Sequence, residues 1–331
     1  MIAAIPRRSL KQLLLLCLTP LAAACSPVAM LNRLTPTDTY VLRGDIAYGP
    51  APRERLDIYQ PIAGARNPQP AAGYPVVVFF YGGSWNSGNR AMYPFVGEAL
   101  AARGIVTVIA DYRLYPEVRY PAFLRDNARA VAWTYNTIAR YGGNPHQLYI
   151  MGHSAGGYNA AMLALDPRWL DAVGMNPSML AGWIGLAGPY DFLPITDRAV
   201  QPVFHFPDYP AGCMPIDHVH DAQVPRTFIG AAKVDSLVNP QRNSVQLADK
   251  LRADGAQVTL DLYTGVNHET LIGSFAKPLR WMSPVLHDVV AFVRQGSRPP
   301  AAAQASLAPA AAARLAIDAE TSQVLDARAA R

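Results

Sequence analysis

The run Leu148-Tyr149-Ile150-Met151-Gly152-His153-Ser154-Ala155-Gly156-Gly157 joins a short apolar segment to a serine held between glycines. Leu148 to Met151 is continuously apolar, the pattern of a strand buried on both faces rather than one with a wet side. The apolar Ala160 to Leu165 completes a helix on the other side of the serine. Between them, residues 152–156 spell G-x-S-x-G. Gly152 and Gly156 leave room for strand and helix to approach closely, so Ser154 stands on a sharp turn. The helix N-terminus behind it offers backbone N–H groups and a favourable dipole to a developing oxyanion. The same pattern also occurs as a purely structural turn. The strand before it and the helix after it are what make Ser154 the candidate nucleophile.

A second glycine turn lies upstream. Val76 to Phe80 is another continuous apolar run, bounded by Pro75 and Gly82, and it leads into Tyr81-Gly82-Gly83-Ser84-Trp85. Such a turn at a strand end either packs against its neighbours or aims its amides at a bound carbonyl. Paired with the elbow downstream, the amides of Gly83 and Ser84 are expected to join that of Ala155 in an oxyanion hole. One such donor is worth about 3 kcal/mol of transition-state stabilisation.

The rest of the chain keeps the same rhythm. Tyr40-Val41-Leu42 and Leu56 to Tyr59 read as short strands, Ile105 to Ala110, Gly182 to Leu186, Thr227 to Ala231 and Val258 to Tyr263 as further ones. Helices are expected over about 94–103, from Pro121 to the glycines at 142–143, from Asn239-Pro240 to Gly255, and from Ser283-Pro284 to about Arg294. Alternation of this kind predicts an α/β domain over 39–296 with a mostly parallel central sheet flanked by helices. Residues 192–224 break it, with many prolines and the aromatics Phe204, Phe206 and Tyr209, and are expected to form a lid.

These stretches resemble the α/β-hydrolase esterases related to hormone-sensitive lipase. Within them the chain is similar to the group containing feruloyl and acetyl-xylan esterases, kynurenine formamidase and isoprenylcysteine methylesterase. The resemblance spans about 40–296. It rests on Tyr81 to Trp85, Asp111-Tyr112-Arg113-Leu114, Gly142-Gly143-Asn144-Pro145, the elbow around Ser154, and a late Asp and His. The family usually carries His where this chain has Tyr81, whose hydroxyl offers a similar bracing hydrogen bond.

The resemblance implies the chain order nucleophile, acid, base. Of seven histidines, His146 precedes Ser154 and His153 lies inside the elbow, so both fail on order. His287 falls within the last helix, as surface or packing. His268 follows the strand 258–263 through a short loop and is the expected base. Asp235, just after the strand 227–231, fits as its orienting carboxylate; Asp191 is the rival, and related enzymes place a non-triad Asp there. Asp111 is expected to brace its loop through Arg113. His205, His218 and His220 sit in the lid, and an alternating pair at 218 and 220 with no third partner is weak evidence for a metal. No metal and no cofactor are expected.

Composition adds boundaries. The chain has 331 residues, 51% hydrophobic and 16% charged, with a formal charge of +5. No Lys/Arg stripe interleaved with aromatics accompanies that charge, so nucleic acid is not an expected partner. Arg7, Arg8 and Lys11 precede an apolar run, Leu13 to Leu18, too short to span a membrane comfortably. Small residues then lead to Cys25, and residues 1–24 read as a lipoprotein-type signal peptide. A lipid on Cys25 would tether the protein to a bacterial periplasmic or outer-membrane surface, with 25–38 as the tether. Of the three cysteines, Cys213 is then left unpaired, and no disulfide framework is expected. The Ala/Pro-rich 297–331 is expected to be a disordered tail, and nothing in the pattern sets an oligomeric state.

The functional expectation is a serine carboxylic-ester hydrolase acting on short- or medium-acyl or aryl esters, whether free or attached to a polymer. An arylformamidase-like amide hydrolase or a transacylase would use the same triad. A catalytically silent envelope binding protein is the alternative of another class.

Overall fold

A computed structural model describes residues 27–64, 67–219 and 224–296. The signal segment, Cys25, His220 and the tail from 297 lie outside the described residues. Eight strands form one sheet: β1 (Tyr40–Ala47), β2 (Arg55–Pro61), β3 (Tyr74–Phe80), β4 (Val106–Ala110), β5 (Gly143–His153), β6 (Gly182–Leu186), β7 (Thr227–Ala232) and β8 (Val258–Tyr263). Their spatial order is β1-β2-β4-β3-β5-β6-β7-β8. Only β2 runs against its neighbours; the pairs from β4 through β8 are parallel.

The continuous apolar runs are the central strands. Val76, Val77, Val78, Phe79 and Phe80 of β3 are fully buried between layers, each such side chain contributing roughly 1.5–3 kcal/mol. At the edge, β8 is less covered, with Thr259 and Leu262 exposed and Tyr263 buried.

Helices cover both faces: α1 (Pro27–Arg33), α2 (Pro94–Ala101), α3 (Ala122–Thr137), α4 (Ala155–Leu165), α5 (Arg168–Asp171), α6 (Gln246–Ala253), α7 (His268–Gly273) and α8 (Val285–Gly296). α4 is buried along its whole length despite two glycines in its first turn. The glycines are required there: a Cβ on Gly156 would lie 2.0 Å from the Phe80 carbonyl oxygen. On β5, a Cβ on Gly152 would lie 1.9 Å from the Gly156 carbonyl oxygen. Close packing of β3, β5 and α4 thus fixes the turn that carries Ser154.

One expectation is corrected. Residues read as a tether include the helix α1, where Leu31 packs against the core and Asn32 Nδ2 donates to the carbonyls of Ala91 and Met92 at 3.2 and 3.4 Å. Apolar Ala29, Met30 and Leu31 suit a helix once a surface is present to pack on. The parallel strands also bring the turns after β3, β4, β5, β6, β7 and β8 to one edge of the sheet, the usual place for a ligand in such folds.

Candidate active site

At that edge β5 turns into α4 through Ser154, whose φ of 55° and ψ of −124° are costly for a non-glycine residue. Its amide donates to the Leu186 carbonyl at 2.9 Å and its carbonyl accepts from Tyr158 N at 3.1 Å, which hold the turn.

His268 begins α7, and its position is secured from three sides. Its Nδ1 stands 2.7 Å from Asp235 Oδ2. Because a carboxylate can only accept, Nδ1 carries the proton and the lone pair is left on Nε2. Asn267 and Thr270 close a capping box, Thr270 N donating to Asn267 Oδ1 at 2.8 Å and Asn267 N to Thr270 Oγ1 at 2.8 Å. The buried His153 ring then reaches the His268 main-chain oxygen through Nε2 at 2.9 Å.

Asp235 is itself held. Its Oδ1 accepts from Leu237 N at 2.8 Å and Val238 N at 2.9 Å. Burial pushes the carboxyl upward, but the bonds from His268 and these amides outweigh it and leave the group below its ordinary range. Burial, reinforced by His268, drives the His153 ring down to about 3, so it is neutral.

Ser154 and His268 line one cleft of about 200 Å³ with Ser84, Trp85, Ala155, Pro189, Phe192 and Val200. Ser84 and Trp85 adopt positive φ (51° and 56°), as does Gly83 at 124°. A Cβ on Gly83 would lie 2.3 Å from the Ser87 carbonyl oxygen, so only glycine fits. Of the three oxyanion candidates, Ser84 and Ala155 border the cleft, and Gly83 immediately precedes Ser84 in the same turn. Trp85 is fixed by its Nε1–H bond to Asn159 Oδ1 at 2.9 Å and stacks on Phe192, with Tyr158 and Phe204 edge-on. This aromatic wall gives the cleft an apolar side.

The glycine turn of Tyr81 to Trp85 is tied down at its base. The Tyr81 hydroxyl donates to Asp111 Oδ1 at 2.7 Å and accepts from Arg53 Nη2 at 2.9 Å, as expected of a residue standing in for the usual His. Asp111 does not pair with Arg113, contrary to the sequence expectation. Its carboxylate takes the Arg90 guanidinium and the Arg90 amide, the latter at 2.7 Å. Arg113 turns instead to Asp126 on α3, with Nε and Nη2 at 2.9 and 2.7 Å. Arg90 lies in the loop after β3, which the sheet order sets beside β4, and so it reaches Asp111 first.

The remaining candidates lie elsewhere. Asp191 pairs with Arg242 Nη2 at 3.0 Å. His205 and His218 each bond a main-chain oxygen at 2.7 Å, and His287 is exposed beside Asp288. The sequence reading passed over three contributors: the ring of His153, the amides of Leu237 and Val238, and the Asn267–Thr270 cap. Only the cap had a local signal, an Asn followed three residues later by Thr.

The model of the family described as BD-FAE matches residues 56–251. The chain belongs to the BD-FAE family. The match takes in Ser84, Ser154 and Asp235 and stops before His268. Among its relatives, this BD-FAE chain is 28% identical to the probable isoprenylcysteine α-carbonyl methylesterase of Oryza sativa subsp. japonica, over 80% of its own length and 65% of that protein. It is 32% identical to the esterase LipC of Mycobacterium tuberculosis over 51% of its length and 41% of the relative's. The chain thus spans under two thirds of these relatives. Among solved structures, it resembles the Pyrobaculum calidifontis esterase with a TM-score of 0.65 at 20% identity, covering 82% of this chain and 90% of that one. It resembles equally, at a TM-score of 0.65 and 20% identity, a truncated carbohydrate esterase from gut microbiota, over 79% of this chain and 98% of that one. At such identities the likeness is one of fold, and the fold is that of the α/β-hydrolases.

Proposed function

We propose that this chain is a carboxylic-ester hydrolase working through an acyl-enzyme on Ser154. One observation carries the reading: Ser154, on its strained turn, shares a cleft with His268, whose other nitrogen is engaged by Asp235 at 2.7 Å. Ser154 Oγ attacks the ester carbonyl while His268 Nε2 takes its proton. Asp235 holds the tautomer and stabilises the imidazolium. The amides of Gly83, Ser84 and Ala155 receive the negative charge that forms on the carbonyl oxygen. Collapse expels the alcohol, protonated by His268; water, deprotonated by the same ring, then releases the acid and restores Ser154. None of these steps calls for a cofactor.

The cleft supports short- or medium-acyl or aryl esters, because Trp85 and Phe192 present flat apolar surface in a space of only about 200 Å³. A lipid anchor at Cys25 and an envelope location belong to the same proposal and rest on the sequence pattern around Cys25. Hydrolysis of p-nitrophenyl esters from acetate to long-chain, with wild type beside Ser154→Ala, tests the activity. Short-chain turnover that vanishes in the variant supports it; no turnover and no labelling of Ser154 by a fluorophosphonate sinks it. Cell fractionation of Cys25→Ala tests the anchor, which fails if the wild type is already in the soluble fraction.

A further inference from the structure

We infer that His153, the residue before the candidate nucleophile, is a positioning residue for the base: its Nε2–H grips the main-chain oxygen of His268 and so sets where that imidazole stands. The inference rests on the reading of Ser154 and His268 given above.

The contact spans 115 residues of sequence and joins the end of β5 to the first residue of α7. Its partner is a carbonyl oxygen, which can only accept, so the proton must be on Nε2. Nδ1 is then an acceptor, and it is buried with no hydrogen-bond partner. A Cβ built on Gly82 of the oxyanion turn would stand 3.4 Å from it. Buried polar atoms without partners are rare and call for a reason. An apolar ring of similar size would fill the same volume without an orphaned acceptor. What such a ring would lack is the Nε2–H bond, and that bond ends on the residue whose placement matters most.

The ring has a second qualification. The rings of His153 and His268 are 4.9 Å apart between centroids. In the proposed reaction His268 becomes cationic, and a neighbour that protonated readily would oppose that charge. His153 stays neutral, so it holds His268 without repelling the imidazolium. The backbone ties near Ser154 are independent of this contact. Loss of the grip should therefore let the base drift while nucleophile and cleft stay in place.

Steady-state hydrolysis of p-nitrophenyl butyrate by the full chain tests this with His153→Leu, His153→Gln and His153→Asn. Misplacing a catalytic group by about 1 Å can cost on the order of a hundredfold. His153→Leu is expected to lose about that much in kcat with KM within about twofold. His153→Gln, whose terminal amide N–H reaches as far as Nε2, is expected to recover to within about tenfold of wild type; the shorter Asn is not. If the Leu variant fails to fold, the Gln and Asn pair decides alone, and equal kcat in the two overturns the inference. A Leu variant with wild-type kcat, or Leu and Gln falling together, overturns it too. With Ser154→Ala assayed alongside, loss of activity there but none in any His153 variant overturns this inference alone. Full activity in Ser154→Ala would overturn the serine reading and this one with it.

Discussion

Asp235 and His268 meet at 2.7 Å between Oδ2 and Nδ1, while the other carboxylate oxygen is taken up by the amides of Leu237 and Val238. With both oxygens engaged, the carboxylate has little freedom to rotate, and the imidazole inherits that order. Asp235→Asn keeps the shape but can offer an N–H to His268, which favours the wrong tautomer. The expected outcome is a fall in kcat of roughly 10³- to 10⁴-fold, with KM little changed. Steady-state kinetics beside Ser154→Ala, which should lose about 10⁶-fold, provide the check. Retention of more than a tenth of wild-type kcat by Asp235→Asn would remove Asp235 from the triad.

Gly156→Ala probes the packing that makes the elbow. The added methyl would meet the Phe80 carbonyl oxygen at 2.0 Å, and that atom belongs to a central strand that cannot yield cheaply. The variant is expected to lose roughly 3 kcal/mol or more of stability, read from urea unfolding. A loss below about 1 kcal/mol would mean that β3 and α4 separate easily.

Tyr81→Phe removes a hydroxyl that donates to Asp111 and accepts from Arg53. Asp111 keeps Arg90, so the network is weakened rather than dismantled. A stability loss of about 1–3 kcal/mol is expected, with a drop in kcat if the oxyanion turn loosens. Thermal melts and kinetics on the same preparation separate the two. Unchanged stability would deny the hydroxyl its bracing role.

Acid should destabilise the fold through His153. The unfolded chain takes up the proton below about pH 6.5, whereas the buried ring resists it until about 3. In that window the unfolded state binds more protons, so stability declines as pH falls, by up to about 1.4 kcal/mol per pH unit. Asp235 acts in the same direction at lower pH: its depressed folded value gives stability that is present above the ordinary carboxylate range and lost as pH falls through the folded value. Unfolding free energies at pH 7, 6, 5 and 4 should show a shallower slope for His153→Gln than for wild type. Parallel slopes would mean that the ring is not held neutral.

Phe192→Ala should widen the cleft where Phe192 stacks on Trp85 at 5.9 Å. The ratio of kcat/KM for octanoate over butyrate esters is expected to rise about tenfold, the value of roughly one methylene in an apolar pocket. An unchanged ratio would place the acyl chain elsewhere.

Residue order by itself determined the frame of this protein and singled out its candidate nucleophile. The apolar runs at 76–80 and 148–151 were long enough to require two-sided burial, and glycines at 152 and 156 reported a close approach within a few residues. Chain order then pointed to His268. Tertiary structure decided which partners those side chains found. Asp191 and Asp235 both follow strands, and only the fold gives one to Arg242 and the other to His268. Arg113 is two residues from Asp111, yet Asp111 pairs with Arg90 because β3 and β4 lie side by side. Residues 27–33 became helical because a surface was there to receive Leu31 and Asn32. His153, set aside on chain order, reaches His268 across 115 residues. Periodicity and turn chemistry act over a few residues, so sequence carries them openly. A side chain's partner depends on the order of strands in the sheet, which sequence specifies only through the fold as a whole.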